Sequence, residues 1–300
     1  LFIPLEIQDA YNAGTRSKSG SPGNNYWQNR ANYHLSARLF PDTGILKGKG
    51  KVTYFNNSPY TLNNIVFKLY QDVFKKGAER LREISQKDIH GGTDFRLIKI
   101  DSQQVDSLFH ETNVLRQSAN MEIKLDEGLA PADSIMFEFE WSFQISQHTN
   151  IRMGRYDSST YFIAYWYPQI AVFDDIHGWD RTGYDGLHEA YFDFNNFDVD
   201  ITVPKNFIIW ATGIPKNTGE LLSLDVIENY SKIYKSKDVV HVIDSTMLDN
   251  RNLTIDKDTL TWHFSAQNIP DFCFATSDHF LWDALVYKNI NNENVLIHAA

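Results

Sequence analysis

Apolar and polar residues alternate along several segments of the chain, the pattern of a β-strand with one buried face. The clearest case is SIMFEFEWSFQI, residues 134–145, in which six apolar residues fall on one face and mostly polar residues on the other. The same alternation occurs at 33–39, 197–203 and 260–266. Four strands are therefore predicted, and each needs a second layer to cover its apolar face.

Turn signals and irregular stretches divide the rest of the chain. The turn PDTG, residues 41–44, predicts a hairpin between the first strand and GKVTYFNN, and LNNIVFKLY at 62–70 reads as a third strand. Only GAERLREISQKD, residues 77–88, has the apolar spacing of a short helix. The polar stretches 101–120 and 215–238 are predicted to be long loops or hairpin tips. The predicted fold class is thus mostly β.

Composition narrows the possible functions. Hydrophobic residues make up 42% of the 300 positions, enough for a sizeable core, and the formal net charge of −10 argues against a surface that binds nucleic acid. The only cysteine, Cys273, lies in an apolar run, so no intramolecular disulfide or thiolate zinc site is expected. No run is long and apolar enough to predict a membrane span.

No complete catalytic motif occurs in the sequence. A helical zinc-protease site needs histidines at i and i+4 with a glutamate after the first, but the fourth position after His110 is Val114 and that after His188 is Phe192. Neither a GxSxG elbow, nor a P-loop, nor a complete dinucleotide-binding loop is present. The sequence therefore predicts no catalytic residue, no metal ligand and no cofactor in this chain.

Residues 161–194 combine aromatic and acidic residues more densely than any other stretch. The aromatic residues can be core and the acids turn residues that bond their own backbone. Alternatively, the carboxylates and rings can line a groove for a cationic amine, or the acids at 174–185 can hold a calcium ion. The residues concerned are Tyr165, Trp166, Tyr167, Trp179 and Tyr184, and Asp174, Asp175, Asp180, Asp185 and Glu189.

Several motifs in order resemble one enzyme family. These are the opening from residue 3 to 59, the run WYPQIAVFDD at 166–175 with a Gly-Trp-Asp shortly after it, FDVDITVPKNFIIWATG at 197–213, and WHFSAQNIPDFCFATSDHF at 262–280. Together they resemble the N-terminal domain of aminopeptidase N-like (gluzincin) zinc metallopeptidases, specifically a bacterial branch. The resemblance covers about residues 3–286.

The resemblance implies a saddle-like, multi-sheet antiparallel β-sandwich domain that forms one wall of a peptide-binding cleft. It divides the chain into an extended N-terminal arm (1–25), the β domain (26–290) and the start of a catalytic domain (291–300). Zinc is expected in that catalytic domain and no cofactor in this chain, which lacks HExxH and should be inactive alone. The implied partners are its own C-terminal catalytic domain and a peptide substrate.

The resemblance also suggests substrate-binding residues. Relatives often place Gln, which helps to hold the free amino terminus of the peptide, immediately before Trp-Tyr-Pro, where this sequence has Tyr165 followed by Trp166. A phenol can accept a hydrogen bond from an ammonium group but carries no charge at neutral pH, so it should anchor the amine more weakly. Gln169 is a second candidate.

An alternative is a stand-alone carbohydrate- or peptide-binding β-sandwich that uses the aromatic cluster around Trp166 and Trp179. A peptidase domain without its partner should expose a large apolar patch, whereas a stand-alone module should expose only a small aromatic platform. Both ends of the chain look trimmed from a longer protein. The scarcity of cysteine and the bacterial resemblance favour a periplasmic or secreted protein, with a cytoplasmic one still open.

Overall fold

The computed structural model describes residues 3–104 and 113–300, with 44% strand and 12% helix, so the predicted mostly β class is confirmed. The strands are β1 (Arg30–Phe40), β2 (Ile45–Phe55), β3 (Leu62–Lys68), β4 (Asp94–Ile100), β5 (Gln103–Gln104), β6 (Val114–Gln117), β7 (Asn120–Leu129), β8 (Ser134–Gln144), β9 (Met153–Arg155), β10 (Tyr161–Ile163), β11 (Gln169–Ile170), β12 (Phe173–Asp174), β13 (Gly178–Trp179), β14 (Asn195–Pro204), β15 (Ile208–Ala211), β16 (Ile214–Pro215), β17 (Val240–Ile243), β18 (Thr259–Ile269), β19 (Phe274–Ser277), β20 (Trp282–Lys288) and β21 (Asn294–Ala299). The α-helices are α1 (Leu5–Ala13), α2 (Thr218–Leu221), α3 (Leu224–Lys232) and α4 (Ser245–Asn250), and short 3-10 helices cover Tyr70–Phe74 and Gln86–Asp88.

The largest sheet has eight strands in the order β16-β18-β14-β1-β2-β8-β4-β5. Its neighbouring strands are antiparallel except β1 and β14, which run parallel to each other. The four alternating segments of the sequence form β1, β8, β14 and β18 of this one sheet, and their predicted apolar positions are buried. The alternation therefore identified one face of the sheet correctly.

Two four-stranded sheets, β11-β3-β7-β6 and β15-β19-β10-β9, supply much of the cover for that face. Phe67 on β3 contacts Phe137 and Phe139 on β8 edge to face, with ring centroids 5.0 and 5.1 Å apart. Trp166 bridges the layers, since it lies beside Trp141 of β8 and meets β19 at a ring-centroid distance of 6.0 Å. These contacts make the fold a β-sandwich with a continuous aromatic core.

The predicted hairpin is confirmed, because β1 and β2 pair along their whole length across the turn at 41–44. Gly44 in that turn has φ +67°, a conformation that favours glycine. Gly48 on β2 lies under the Trp141 ring, and a Cβ there would be 2.3 Å from the ring atoms. The predicted third strand forms as β3, but it pairs with β7 in a separate sheet rather than with β2.

Two predictions about helices were wrong. Residues 77–85 are not helical, because the backbone N–H groups of Leu81 and Arg82 donate to the Asp185 carbonyl and the Arg80 side chain binds the carbonyls of 73 and 75. Conversely, α2 and α3 occupy the stretch 215–238 that was predicted to be loop. Ser223 caps α3 by accepting the Val226 N–H, Val226 is fully buried, and Ile227 and Tyr230 pack against the core.

The expected extended arm is also different in the structure. Residues 5–13 form α1, which ends at Gly14 in the left-handed conformation. The following residues have no regular secondary structure, but they are held in place, since Thr15 is buried and hydrogen-bonds to Asp175. In the polar stretch 101–120, residues 113–120 contain β6 and the first residue of β7, and residues 105–112 lie outside the described residues.

A further sheet, β17-β20-β21, lies at the C-terminal end of the described chain. One face packs inward, with Trp282 and Ala284 buried and Leu296 half-buried against the core. Within the described residues, no helix is long and apolar enough to cross a membrane.

Candidate binding cleft

An open cleft of about 340 Å³ lies between the end of β3 and the loop of residues 174–191. Aromatic rings form much of its wall, and the residues concerned are Tyr70, Trp179, Tyr184 and Tyr191. The loop is largely irregular, with only the two-residue pairing of β12 and β13 inside it. The stretch with the densest aromatic and acidic residues thus contributes to a concave surface, and whether that surface binds a cationic amine stays a prediction.

The acids of this loop mostly hold its turns. One oxygen of Asp174 accepts the backbone N–H groups of residues 176 and 177, Asp180 accepts that of 182, and Asp185 accepts those of 187 and 188. These bonds confirm the turn-residue interpretation for the three aspartates. In the part of the chain that the structure describes, no three His, Cys, Asp or Glu side chains come together in a way that could hold a metal ion.

Lys68 at the end of β3 provides the most unusual charge in the cleft. Its side chain is only 3% exposed, and its ammonium group lies 3.0 Å from the carboxylate of Asp180 and donates to the Thr182 carbonyl at 2.8 Å. Burial lowers the pKa of Lys68, because desolvation penalises the charged amine more than the nearby Asp180 stabilises it. This ion pair joins the strand to the loop opposite.

Further ion pairs attach the loop to other parts of the chain. Arg16, from the segment after α1, binds both oxygens of Asp175, and the closest contact is 2.6 Å. The Arg181 guanidinium binds Glu122 on β7 in the same two-pronged way. Because these ion pairs fix the loop to the rest of the chain, the loop forms a rigid wall of the cleft.

The predicted residue Tyr165 lies directly behind this wall. Its ring stacks on that of Tyr70, with centroids 4.4 Å apart, and contacts Tyr184 edge to face at 5.7 Å. Its backbone is left-handed, with φ +55°, which is rare for a large side chain, and its carbonyl accepts a hydrogen bond from Gln71. Tyr165 is 5% exposed, and burial raises the pKa of its phenol.

The other two predicted residues are core residues. Trp166 is 1% exposed and donates its indole N–H to the Phe272 carbonyl. Gln169, also 1% exposed, donates to the Pro270 carbonyl. The structure therefore brings Tyr165 next to the cleft, whereas neither Trp166 nor Gln169 lines it.

The structure also locates His188 and Cys273, which the sequence analysis had considered. His188 lies at the cleft, but its Nδ1 is 2.6 Å from Asp185, and Glu189 pairs with Arg152. The other His-Glu pair, His110-Glu111, falls outside the described residues. Cys273 is half-buried beside Thr212, as a packing role predicts.

Sequence reasoning missed Lys68 and Tyr70, which form the floor of the cleft. A signal for Lys68 was present, since it is the single charged residue within the apolar strand LNNIVFKLY. A charge in such a strand is buried only when it has a partner. The partner lies 112 positions along the chain, in the loop with many acids.

Comparisons with known proteins give similarities of fold only. No protein-family model and no curated protein matches this sequence. A solved M1 zinc metallopeptidase from Deinococcus radiodurans aligns with 92% of this chain and 48% of its own, at 12% identity and a TM-score of 0.45. Aminopeptidase A of Legionella pneumophila, in complex with aspartic acid, aligns over 89% of this chain and 23% of its own, at 7% identity and a TM-score of 0.48. The chain thus spans about half the length of the first and about a quarter of the second.

Proposed function

We propose that this chain is the non-catalytic N-terminal β domain of a zinc aminopeptidase-like metallopeptidase, and that the cleft beside Tyr165 forms part of the wall that binds the peptide. The motifs at 166–175, 197–213 and 262–280 support this family, and the mostly β sandwich is the fold that they imply. The proposal depends most on one further observation, an apolar surface on the sheet β17-β20-β21.

The outer face of that sheet carries a row of exposed apolar side chains. Residues directly opposite each other on antiparallel strands share a face, and here Leu285 faces Ile297 while Tyr287 faces Val295. Tyr287 is 55%, Val295 41% and Ile297 45% exposed. Exposed apolar side chains that lie side by side in this way favour a contact with another protein body. We assign that body as the catalytic domain.

The alternative, a stand-alone sugar- or peptide-binding module, required Trp166 and Trp179 to be exposed to a ligand. Trp166 and Trp179 are 1% and 5% exposed, so they cannot form an exposed platform for a sugar ring. The exposed apolar row is instead aliphatic and tyrosine side chains on a sheet face. This contrast favours the domain of a larger peptidase over the module.

The role of this chain would be to bind and orient the peptide rather than to react with it. Zinc bound in a catalytic domain supplies an activated water and polarises the scissile carbonyl. The described residues do not fit such a zinc site, since they contain no convergent metal-ligating group. What this chain offers is a fixed wall with the Tyr165 ring behind it. The cationic side chains at or beside that wall, Lys68, Arg181 and Arg152, are each paired with a carboxylate.

The class is tested first by reading the gene beyond residue 300 and expressing its product. We expect an HExxH motif within the next ~100–150 residues, the span of one domain. The full-length protein should bind zinc and cleave an aminoacyl anilide, and the present chain should do neither. A downstream region of another kind, or stoichiometric zinc with turnover in this chain alone, would refute the proposal.

The docking surface is tested by mixing this chain with a separately expressed catalytic domain. Ile297→Glu places a charge in the apolar row and should weaken the association at least about tenfold. Leu224→Glu, at an 83% exposed position on α3, is the matched control and should leave it unchanged. Equal effects of the two substitutions would place the interface elsewhere.

The role of Tyr165 is tested in the full-length enzyme. Tyr165→Phe removes the hydroxyl but keeps the ring against Tyr70, so KM for an aminoacyl anilide should rise about fivefold at constant kcat, the effect of one hydrogen bond. Tyr156→Phe, at a 57% exposed position, serves as the control. A KM that does not change would exclude Tyr165 as a contact for the amine.

A further inference from the structure

A histidine–aspartate ion pair lies on the same outer face of the sheet β17-β20-β21 as the apolar row. The residues before and after Asp283 on β20 are buried, so Asp283 points outward, as Leu285 and Tyr287 do. His241 on β17 is directly opposite Asp283, and its Nδ1 lies 2.6 Å from the carboxylate. We call this outer surface the docking face, and its members are His241, Asp283, Leu285, Tyr287, Val295 and Ile297.

His241 has Asp283 as its single ion-pair partner in the described chain, and both side chains still reach water, with 71% and 41% exposed. The helix α3 packs on the other side of the sheet, where the ring centroids of Tyr230 and Trp282 are 5.4 Å apart. Six further charged or titratable groups belong to α3, to the sheet or to its flanks, and among the described residues none of them pairs with His241: Glu228, Lys232, Asp238, Asp244, Lys288 and His298. The charge balance of the docking face therefore depends on this one pair.

A stable contact over the apolar row must also cover the ion pair. Asp283 lies two residues from Leu285 along β20, which is about 7 Å at the rise of a β-strand. A standard protein interface covers about 800 Å² of each partner, a patch roughly 28 Å on a side. Such a patch, centred on Leu285 and Ile297, extends past Asp283 and His241, so docking buries the pair.

The charge state of His241 decides how unfavourable that burial is. An imidazole side chain changes charge between about pH 5 and 8. While the ring is positive, the contact removes water from an ion pair in which each charge faces an opposite one. Once the ring is neutral, the contact removes water from a lone carboxylate, which is less favourable because no opposite charge compensates it.

We propose that the His241–Asp283 pair makes docking of the catalytic domain pH-dependent, so that the two bodies associate more tightly when His241 is protonated and less tightly as the pH rises. This inference rests on the proposed function, since it takes the catalytic domain as the occupant of the docking face. It adds that docking is linked to the binding of a proton, which the apolar row alone does not imply.

The test measures the dissociation constant of this chain and a separately expressed catalytic domain at about pH 5.5 and about pH 8. For the unaltered chain the constant should rise about tenfold across this range, below the effect of losing one partner of a fully buried interface pair. His241→Gln cannot gain a charge, so its docking should be weak and nearly independent of pH. Asp283→Asn leaves the histidine as the lone charge, so the pH dependence should reverse, with tighter docking at the higher pH.

His148→Gln, at an exposed histidine in the loop after β8, is the matched control and should keep the pH dependence of the unaltered chain. Absence of any association at either pH would overturn the docking of a catalytic domain, and this inference with it. Association that does not change with pH in the unaltered chain, or that changes equally in His241→Gln, would overturn the role of the pair alone. A variant that folds poorly should dock weakly at every pH, so a reversal in Asp283→Asn cannot come from misfolding.

Discussion

The Lys68–Asp180 ion pair allows the sharpest test of how the cleft is held together. Asp180→Asn removes the carboxylate charge, while the amide oxygen can still accept the Thr182 N–H that Asp180 accepts at 3.0 Å. The Lys68 ammonium, 3% exposed, then keeps the Thr182 carbonyl as its one remaining partner. Breaking a buried pair on one side costs about 3–5 kcal/mol, and because the Asp180 side chain is 19% exposed we expect about 3 kcal/mol.

Removing both charges should cost much less than removing one. In Lys68→Met with Asp180→Asn no buried charge is left, and the freed Thr182 carbonyl lies at an exposed residue where water can reach it. We expect the double variant to lie within about 1.5 kcal/mol of the unaltered chain. Urea unfolding of the two single variants and the double variant gives the coupling energy directly. A single variant that costs under about 1 kcal/mol, or a double variant as unstable as Asp180→Asn, would refute the reasoning.

The pH dependence supplies an independent check on the same pair. Because the pKa of Lys68 is lowered in the folded state, the unfolded chain binds more protons between that pKa and the ordinary lysine value, and stability rises with pH across this window. Asp180→Asn removes the charge that opposes this shift, so the window begins at lower pH. The destabilisation of Asp180→Asn should therefore be smaller at about pH 9 than at about pH 7.

Three further predictions concern the loop, the sheet and the N-terminal segment. Desolvation raises the pKa of Asp193 to about 6, above its unfolded value. The contribution of Asp193 to stability is therefore full at low pH and is lost as the pH rises through about 6. Asp193→Asn should raise the melting temperature at neutral pH and not under acid conditions. Gly48→Ala places a Cβ against the Trp141 ring and should cost about 1–3 kcal/mol in urea unfolding, whereas Gly91→Ala, with no atom within 4 Å of the added Cβ, should cost under about 1 kcal/mol. Arg16→Gln removes the two-pronged bond that holds the segment after α1, so limited proteolysis should cleave that segment faster while the β core stays intact.

Period-two alternation predicted the strands because the large sheet has one buried face. In β8, for example, every second residue from Ile135 to Phe143 is buried, and each of the intervening residues is only partly buried. Alternation does not show which strands are neighbours. The parallel pairing of β1 with β14 joins residues more than 160 positions apart, and β3 pairs with β7 although it follows β2 in the chain. These pairings depend on long-range packing, which a local pattern does not contain.

The errors in the helices have a local cause. Leu81 was assigned to a helical face, but it is 65% exposed, and its backbone N–H bonds to the Asp185 carbonyl in the cleft loop. A tertiary hydrogen bond thus replaced the helical one. In α3 the opposite holds, since a cap by Ser223 and the packing of Val226, Ile227 and Tyr230 on the core stabilise a helix within a polar stretch. Apolar spacing alone is a weak guide for short helices, whose stability comes from caps and tertiary contacts.

The cleft shows why residue types could be predicted better than roles. The run at 161–194 was identified by its composition, and that run does form the wall. Within it, Trp166 and Gln169 are core residues, and the Tyr165 ring packs behind the wall against Tyr70 and Tyr184, with its backbone at φ +55°. Nothing in the letters Tyr-Trp-Tyr signals a left-handed residue, since the residues that favour this conformation are Gly, Asn and Asp. The Gln71 side chain, 94 positions earlier, donates to the Tyr165 carbonyl, so the conformation of Tyr165 depends on a long-range contact.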